Sequence, residues 1–212
     1  MKRFMITVLA VLLVMGFTTS ASAQFFMSQL SDARVVESDE VHIGGGFSVA
    51  SDMMGLGGFI RIGVMDELEI GGKLGFVNVD ADGGDDHTGL SIAGQILYQF
   101  LDTEYGDPVD LSTGGGIEYY NMPGDVTFMM FGSNTLVSYP IEFQGGQMLS
   151  PFFRLNLRFD RVSNGNSDTE FELGFGFGAK FDITQYFGFF GEVIIPGGNL
   201  DEGFVGGVSF GI

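Results

Sequence analysis

From Val41 to the last residue the chain repeats a single pattern, in which apolar side chains alternate with polar or very small ones at a period of two. Between Thr88 and Leu101, the residues Leu90, Ile92, Gly94, Ile96, Tyr98 and Phe100 fall on one face, and Gly89, Ser91, Ala93, Gln95 and Gln99 fall on the other. Successive side chains of a strand point to opposite faces, whereas a helix would mix the two sets. The same division recurs in Val41–Ser51, Met54–Val64, Leu68–Asp80, Val109–Tyr120, Val137–Phe143, Leu149–Arg161, Thr169–Asp182, Tyr186–Ile195 and Glu202–Ile212. Ten strands are predicted. The sharpest are Leu149–Arg161, with Phe153, Leu155, Leu157 and Phe159 opposed by Arg154, Asn156, Arg158 and Asp160, and Thr169–Asp182, with five apolar residues opposed by Glu170, Glu172, Lys180 and glycines. Pro140 weakens the Val137–Phe143 segment, because it has no N–H to give to a ladder.

The connections alternate in length. Short ones are expected at Met65–Glu67, Asp102–Pro108, Gln144–Met148 and Ile183–Gln185, and longer ones, rich in Gly, Asn and Asp, at Ala81–His87, Asn121–Asn134, Val162–Asp168 and Pro196–Asp201. Antiparallel strands in a row put successive turns at opposite ends of a sheet, and short turns at one end with long loops at the other are the habit of outer-membrane barrels. The Asn121–Asn134 stretch, with Met122, Phe128, Met129, Met130 and Phe131, is apolar for a loop. An extension of its flanking strands fits it best, ahead of contact with lipid headgroups or a partner.

Ahead of the strands, Lys2 and Arg3, an apolar run from Ile6 to Phe17, and Ala21-Ser22-Ala23 have the three parts of a cleaved signal peptide, residues 1–23. About 12 apolar residues are too few for the roughly 20 that a membrane helix needs. Residues 24–40 are mixed in character and are read as a periplasmic leader, or as a modest plug. Residues 41–212 form the barrel domain.

Composition then decides which face meets what. The 212 residues include 35 Gly and 23 Phe, no Cys and no Trp, with 9 Lys and Arg against 27 Asp and Glu. So acidic a chain repels phosphate backbones, which excludes nucleic acid as a partner, and the lack of Cys excludes thiolate chemistry. A face in bulk water favours long solvated side chains. Here the polar face is Gly, Ser and Ala with isolated charges of both signs, which suits a narrow lumen where Arg61, Lys73, Arg154, Arg158 and Lys180 reach Glu69, Glu118, Glu142, Glu172 and Glu192. Phe, Leu, Ile and Val then face lipid. A sheet in lipid has no water for its edges and must close, giving an all-β, antiparallel up-and-down transmembrane barrel of ten strands, or of eight if Val137–Phe143 and a neighbour belong to loops.

Three features resemble the small outer-membrane β-barrel proteins of Gram-negative bacteria, the broad OmpA/OmpX-like group. They are the signal sequence, the strand-turn-strand unit Gly58–Gly72 echoed by Phe175–Gly188, and the alternating C-terminal strand. The resemblance implies the cell outer membrane, contact with outer-membrane lipid and lipopolysaccharide, and passage through the barrel-assembly machinery, which in that group reads a last strand usually ending in Phe. Here Phe210 is followed by Gly211 and Ile212.

Candidate chemistry is sparse. Asp80, Asp82, Asp85 and Asp86 give one loop the oxygen density that Ca2+ or Mg2+ prefers, without the spacing of an EF-hand. A solvated acidic loop is the simpler reading, with a divalent ion bridging it to lipid phosphate as the alternative. Asp85 and His87 copy the Asp-x-His spacing of some ten-stranded barrel proteases, but those enzymes hold their pairs across the barrel from one another. His42 has no Ser partner and reads as an interior histidine. No catalytic group emerges. The expected role is structural or in surface interaction, with the lumen plugged by paired charges; the alternative is a narrow passive channel or transporter for small solutes, since barrels of this size are barely wide enough for their own side chains.

Overall fold

The computed structural model describes residues 32–50, 53–80, 86–122, 126–164, 166–196 and 203–212. Their strands are β1 (Val41–Ala50), β2 (Met53–Met65), β3 (Leu68–Asp80), β4 (Asp86–Leu101), β5 (Asp110–Met122), β6 (Val126–Ser138), β7 (Ile141–Glu142), β8 (Met148–Asn164), β9 (Asn166–Thr184), β10 (Phe187–Pro196) and β11 (Gly203–Gly211). Each long strand pairs antiparallel with the next, β6 pairs with β8, and β11 returns to β1 through eight registered pairs from His42↔Gly211 to Val49↔Phe204. The result is a closed antiparallel barrel of ten staves.

The tenfold count holds, but one stave is not where the alternation put it. The sixth is Val126–Ser138, most of which falls in the stretch expected to be a loop, and it pairs along its whole length with β5 and β8. The expected Val137–Phe143 strand is only the tail of this stave: after Ser138 the ladder is interrupted at Tyr139 and Pro140, and β7 resumes it for two residues against Met148 and Leu149. The cause is mixed burial along β6. Met130 and Leu136 point inward with Asn134 and Ser138, while Ser133 and Thr135 are exposed, so neither face reads as apolar.

The strands also run further than expected at one end. β5 continues to Met122 and β6 begins at Val126, while β8 and β9 pair as far as Asn164↔Asn166. The expected long loop Val162–Asp168 is therefore mostly strand, and Asn121–Asn134 is largely strand too, the extension of its flanking strands that fitted it best. The signal-peptide segment lies outside the described residues.

The orientation of side chains follows the alternation. Leu56, Phe76 and Phe171 are 69%, 62% and 60% exposed on the outside, whereas Arg61, Glu69, Glu118, Arg154 and Glu192 are at most 2% exposed on the inside. This is a soluble protein turned inside out. Aromatic contacts run along the outer surface: Phe153 lies between Phe175 and Phe177, at 6.1 and 5.0 Å, and Phe159 between Phe131 and Phe171, both at 5.2 Å.

Candidate functional site

Among the described residues the paired charges gather in the lumen, which is occupied in three layers. The middle layer is ionic. Arg154 on β8 makes a two-pronged bond to Glu192 on β10, Nε to Oε1 at 2.8 Å and Nη2 to Oε2 at 3.2 Å. Arg158 reaches Asp160 at 2.8 Å and Glu172 at 2.6 Å, and Lys73 reaches Glu118 at 3.0 Å. Lower down, Arg61 clamps Glu69 with Nη2 2.6 Å from Oε2, and Lys180 meets Asp182 at 3.2 Å. Buried charges are tolerated only when paired and hydrogen-bonded.

Two of these pairs skip a strand, and the residue they pass over is small. Lys73 lies in register with Ala93, and Ala93 with Glu118, so the β3–β5 pair passes over an alanine on β4. Arg154 is opposite Gly176, whose missing side chain leaves the space through which Glu192 reaches it. A Cβ at Gly176 would strike the Glu192 carboxylate and sit 3.3 Å from the Arg154 Cβ. Gly176→Ala is therefore expected to lower stability by about 1–3 kcal/mol through overpacking of an ion pair; thermal or urea unfolding of the two proteins in the same detergent measures it.

Inward glycines also seat inward aromatic rings. Phe152 covers Gly178, Phe59 covers Gly44, and Phe190 covers Gly207, with Phe59 and Phe190 edge to face at 5.9 Å. The layer at the end where β3 passes to β4 and β5 to β6 is apolar, built from Val77, Tyr120, Met122 and Met130. A cavity of about 30 Å3 beside Ser48, Lys73, Val77, Ser91 and Val205 has room for a water or two.

The third layer comes from the N-terminal segment, residues 32–40, which lies in the opposite mouth as a plug. Ala33 packs on Leu97 and Leu136, and Val36 is buried. The barrel wall holds the plug by its backbone: Gln99 accepts from the Val35 N–H at 3.0 Å, Glu69 from the Val36 N–H at 2.9 Å, and Arg61 donates to the Arg34 carbonyl at 2.8 Å. Arg34 itself forms an ion pair with Glu104, which stands on the 3-10 turn Thr103–Tyr105. Burial pulls the Arg34 guanidinium down, but Glu104, Asp32 and Asp110 outweigh it, so its protonated form is held more firmly than usual.

Nine of the ten lumen charges expected from the sequence are thus inside and paired; the exception is Glu142. It is exposed on β7, because the stave breaks at Pro140 and the chain leaves the barrel wall there. Asp110 and Asp160 are inside, on the polar face where the alternation put them; Asp32 and Asp182 also belong to the lumen and were not anticipated, nor were the inward rings of Phe59, Tyr120, Phe152 and Phe190. A signal was present in the alternation itself, since Asp182 has the parity of Lys180. Of the acidic-loop residues, Asp82 and Asp85 lie outside the described residues, while Asp80 and Asp86 pair through their backbones where β3 meets β4. His87 is exposed, and His42 faces inward with Nε2 3.6 Å from Glu40. Among the described residues no three His, Asp or Glu side chains are placed to hold a metal ion.

No protein-family model matches the chain, and no curated protein matches it. Among solved structures, the N-terminal β-barrel domain of Pseudomonas aeruginosa OprF is similar at 13% identity over 84% of this chain and all of that one, with a TM-score of 0.37. An outer membrane channel from Pseudomonas putida F1 is similar at 8% identity over 89% of this chain and all of that one, with a TM-score of 0.46.

Proposed function

We propose that the chain is an integral outer-membrane β-barrel, exported on a cleaved signal peptide, whose role is structural or a surface interaction within the envelope. One observation carries the reading: large apolar side chains cover the outside of a closed barrel whose inside is lined with paired charges. In water the outer surface would aggregate, and in lipid it is the stable arrangement. The paired charges of the middle layer, the apolar cluster above it and the segment 32–40 in the opposite mouth support a sealed barrel over a conducting one. The turns at 66–67, 102–109 and 185–186, the plug and the C terminus share one end, which on this reading faces the periplasm.

The purified protein is expected to migrate differently on gels before and after boiling, and to give no stable single-channel conductance in planar bilayers. Stable unitary currents from the unmodified protein would favour a narrow solute channel instead. A protein with no heat-modifiable band, recovered without detergent, would remove the membrane reading.

A further inference from the structure

We propose that residues 32–40 are a releasable seal over a vestibule in the lower half of the barrel, and that the uncovered vestibule takes small cationic solutes. The proposal rests on the sealed-barrel reading and adds a binding site at its periplasmic end. Most contacts that hold the segment are exchangeable: side-chain hydrogen bonds to its backbone, a short bridge of Ser38 to Gly63, and an ion pair to a Glu104 that is itself half exposed. Its apolar anchorage is small, essentially Ala33, Val35 and Val36. Where the segment joins β1, Asp39 adopts φ 66°, the one non-glycine residue with positive φ among the described residues. That marks a sharp bend where the segment turns from β1 into the barrel mouth.

What lies beneath differs from the other end of the lumen. The end away from the seal is lined by Val77, Tyr120, Met122 and Met130, which would not be stable wetted. Under the seal the wall offers Glu69, Gln99, Asp110, Ser112, Ser138 and Ser150 beside Leu97 and Leu136, a lining in which polar groups outnumber apolar ones. Once the seal has moved away with Asp32 and Arg34, Arg61 still pairs Glu69 and Lys180 still pairs Asp182, while Asp110 and, at the rim, Glu104 have lost their neighbouring cation. The vestibule is then acidic and favours positive solutes over negative ones. The ionic layer above it makes it a cup with a floor.

The chain has no cysteine, so Ser112→Cys places a single reporter under the seal. In liposomes, with reagent on the seal side, this cysteine should react slowly with a cationic methanethiosulfonate. Gly63→Val would drive a side chain into the Glu37 carbonyl and lift the segment, raising the labelling rate roughly tenfold or more, with the cationic reagent outpacing an anionic one of similar size. Arg34→Ala should act in the same direction more weakly, and it serves if Gly63→Val does not fold. Equal labelling rates with and without these changes, or a preference for the anionic reagent, would overturn the proposal. Conductance of the same samples separates the two readings: currents from the unmodified protein refute the sealed barrel, whereas currents seen only in the opened variants refute the closed floor.

Discussion

Arg154→Ala is expected to lower the folding stability of the barrel by about 3–5 kcal/mol, the usual cost of leaving one member of a buried ion pair without its partner. Arg154 and Glu192 are both 0% exposed and bound at two points. The truncation leaves the Glu192 carboxylate among Gly176, Gly178 and Phe152, with no solvent to take over the lost bonds. It also removes the guanidinium that stands 5.8 Å from the centre of the Phe152 ring. Arg154→Met combined with Glu192→Gln should recover much of the loss, because neutral groups of similar volume carry no stranded charge. Urea titrations of refolding into lipid vesicles measure both; a double variant as unstable as Arg154→Ala would mean that the contribution is shape, with charge secondary.

Phe175→Arg comes next in size, at about 2–4 kcal/mol for a cation placed on the lipid face near mid-membrane. The residue is on the outside of β9, packed beside Phe153 at 6.1 Å. In a soluble barrel the same change would add a solvated charge to a surface and cost little. The neighbour Gly176 faces inward, so the two positions respond to different environments one residue apart. The comparison of Phe175→Arg in detergent and in vesicles isolates the lipid contribution.

Legibility in the sequence tracked how cleanly each strand separates its two surroundings. β8 and β9 were evident because Phe and Leu alternate with Arg, Asn, Asp and Glu, and the lipid and the lumen select opposite residue types. β6 was hidden because its ends lie in the apolar layer and near the plug, so Met130 and Leu136 face inward while Ser133 and Thr135 face out. Which charges line the lumen was largely readable from parity. Their pairing was not, since Lys73 and Glu118 meet across β4 and Arg154 meets Glu192 across β9, and such partners depend on a register that only the closed sheet fixes. The plug could be named as an option but not located. Its anchors, Gln99 and Glu69, bond to backbone groups of Val35 and Val36, and a backbone leaves no residue signature.

The most direct test uses a second absence, that of tryptophan. Single Trp residues placed in turn at Phe171, Leu173, Phe175 and Phe177, and at the exposed turn residue Tyr186, would each report alone, in vesicles containing brominated lipid. Quenching by the acyl bromines should be strong at 171, 173, 175 and 177 and weak at 186. Uniform weak quenching along the strand, with aqueous iodide reaching the odd positions instead, would show those phenylalanines facing water and contradict the account.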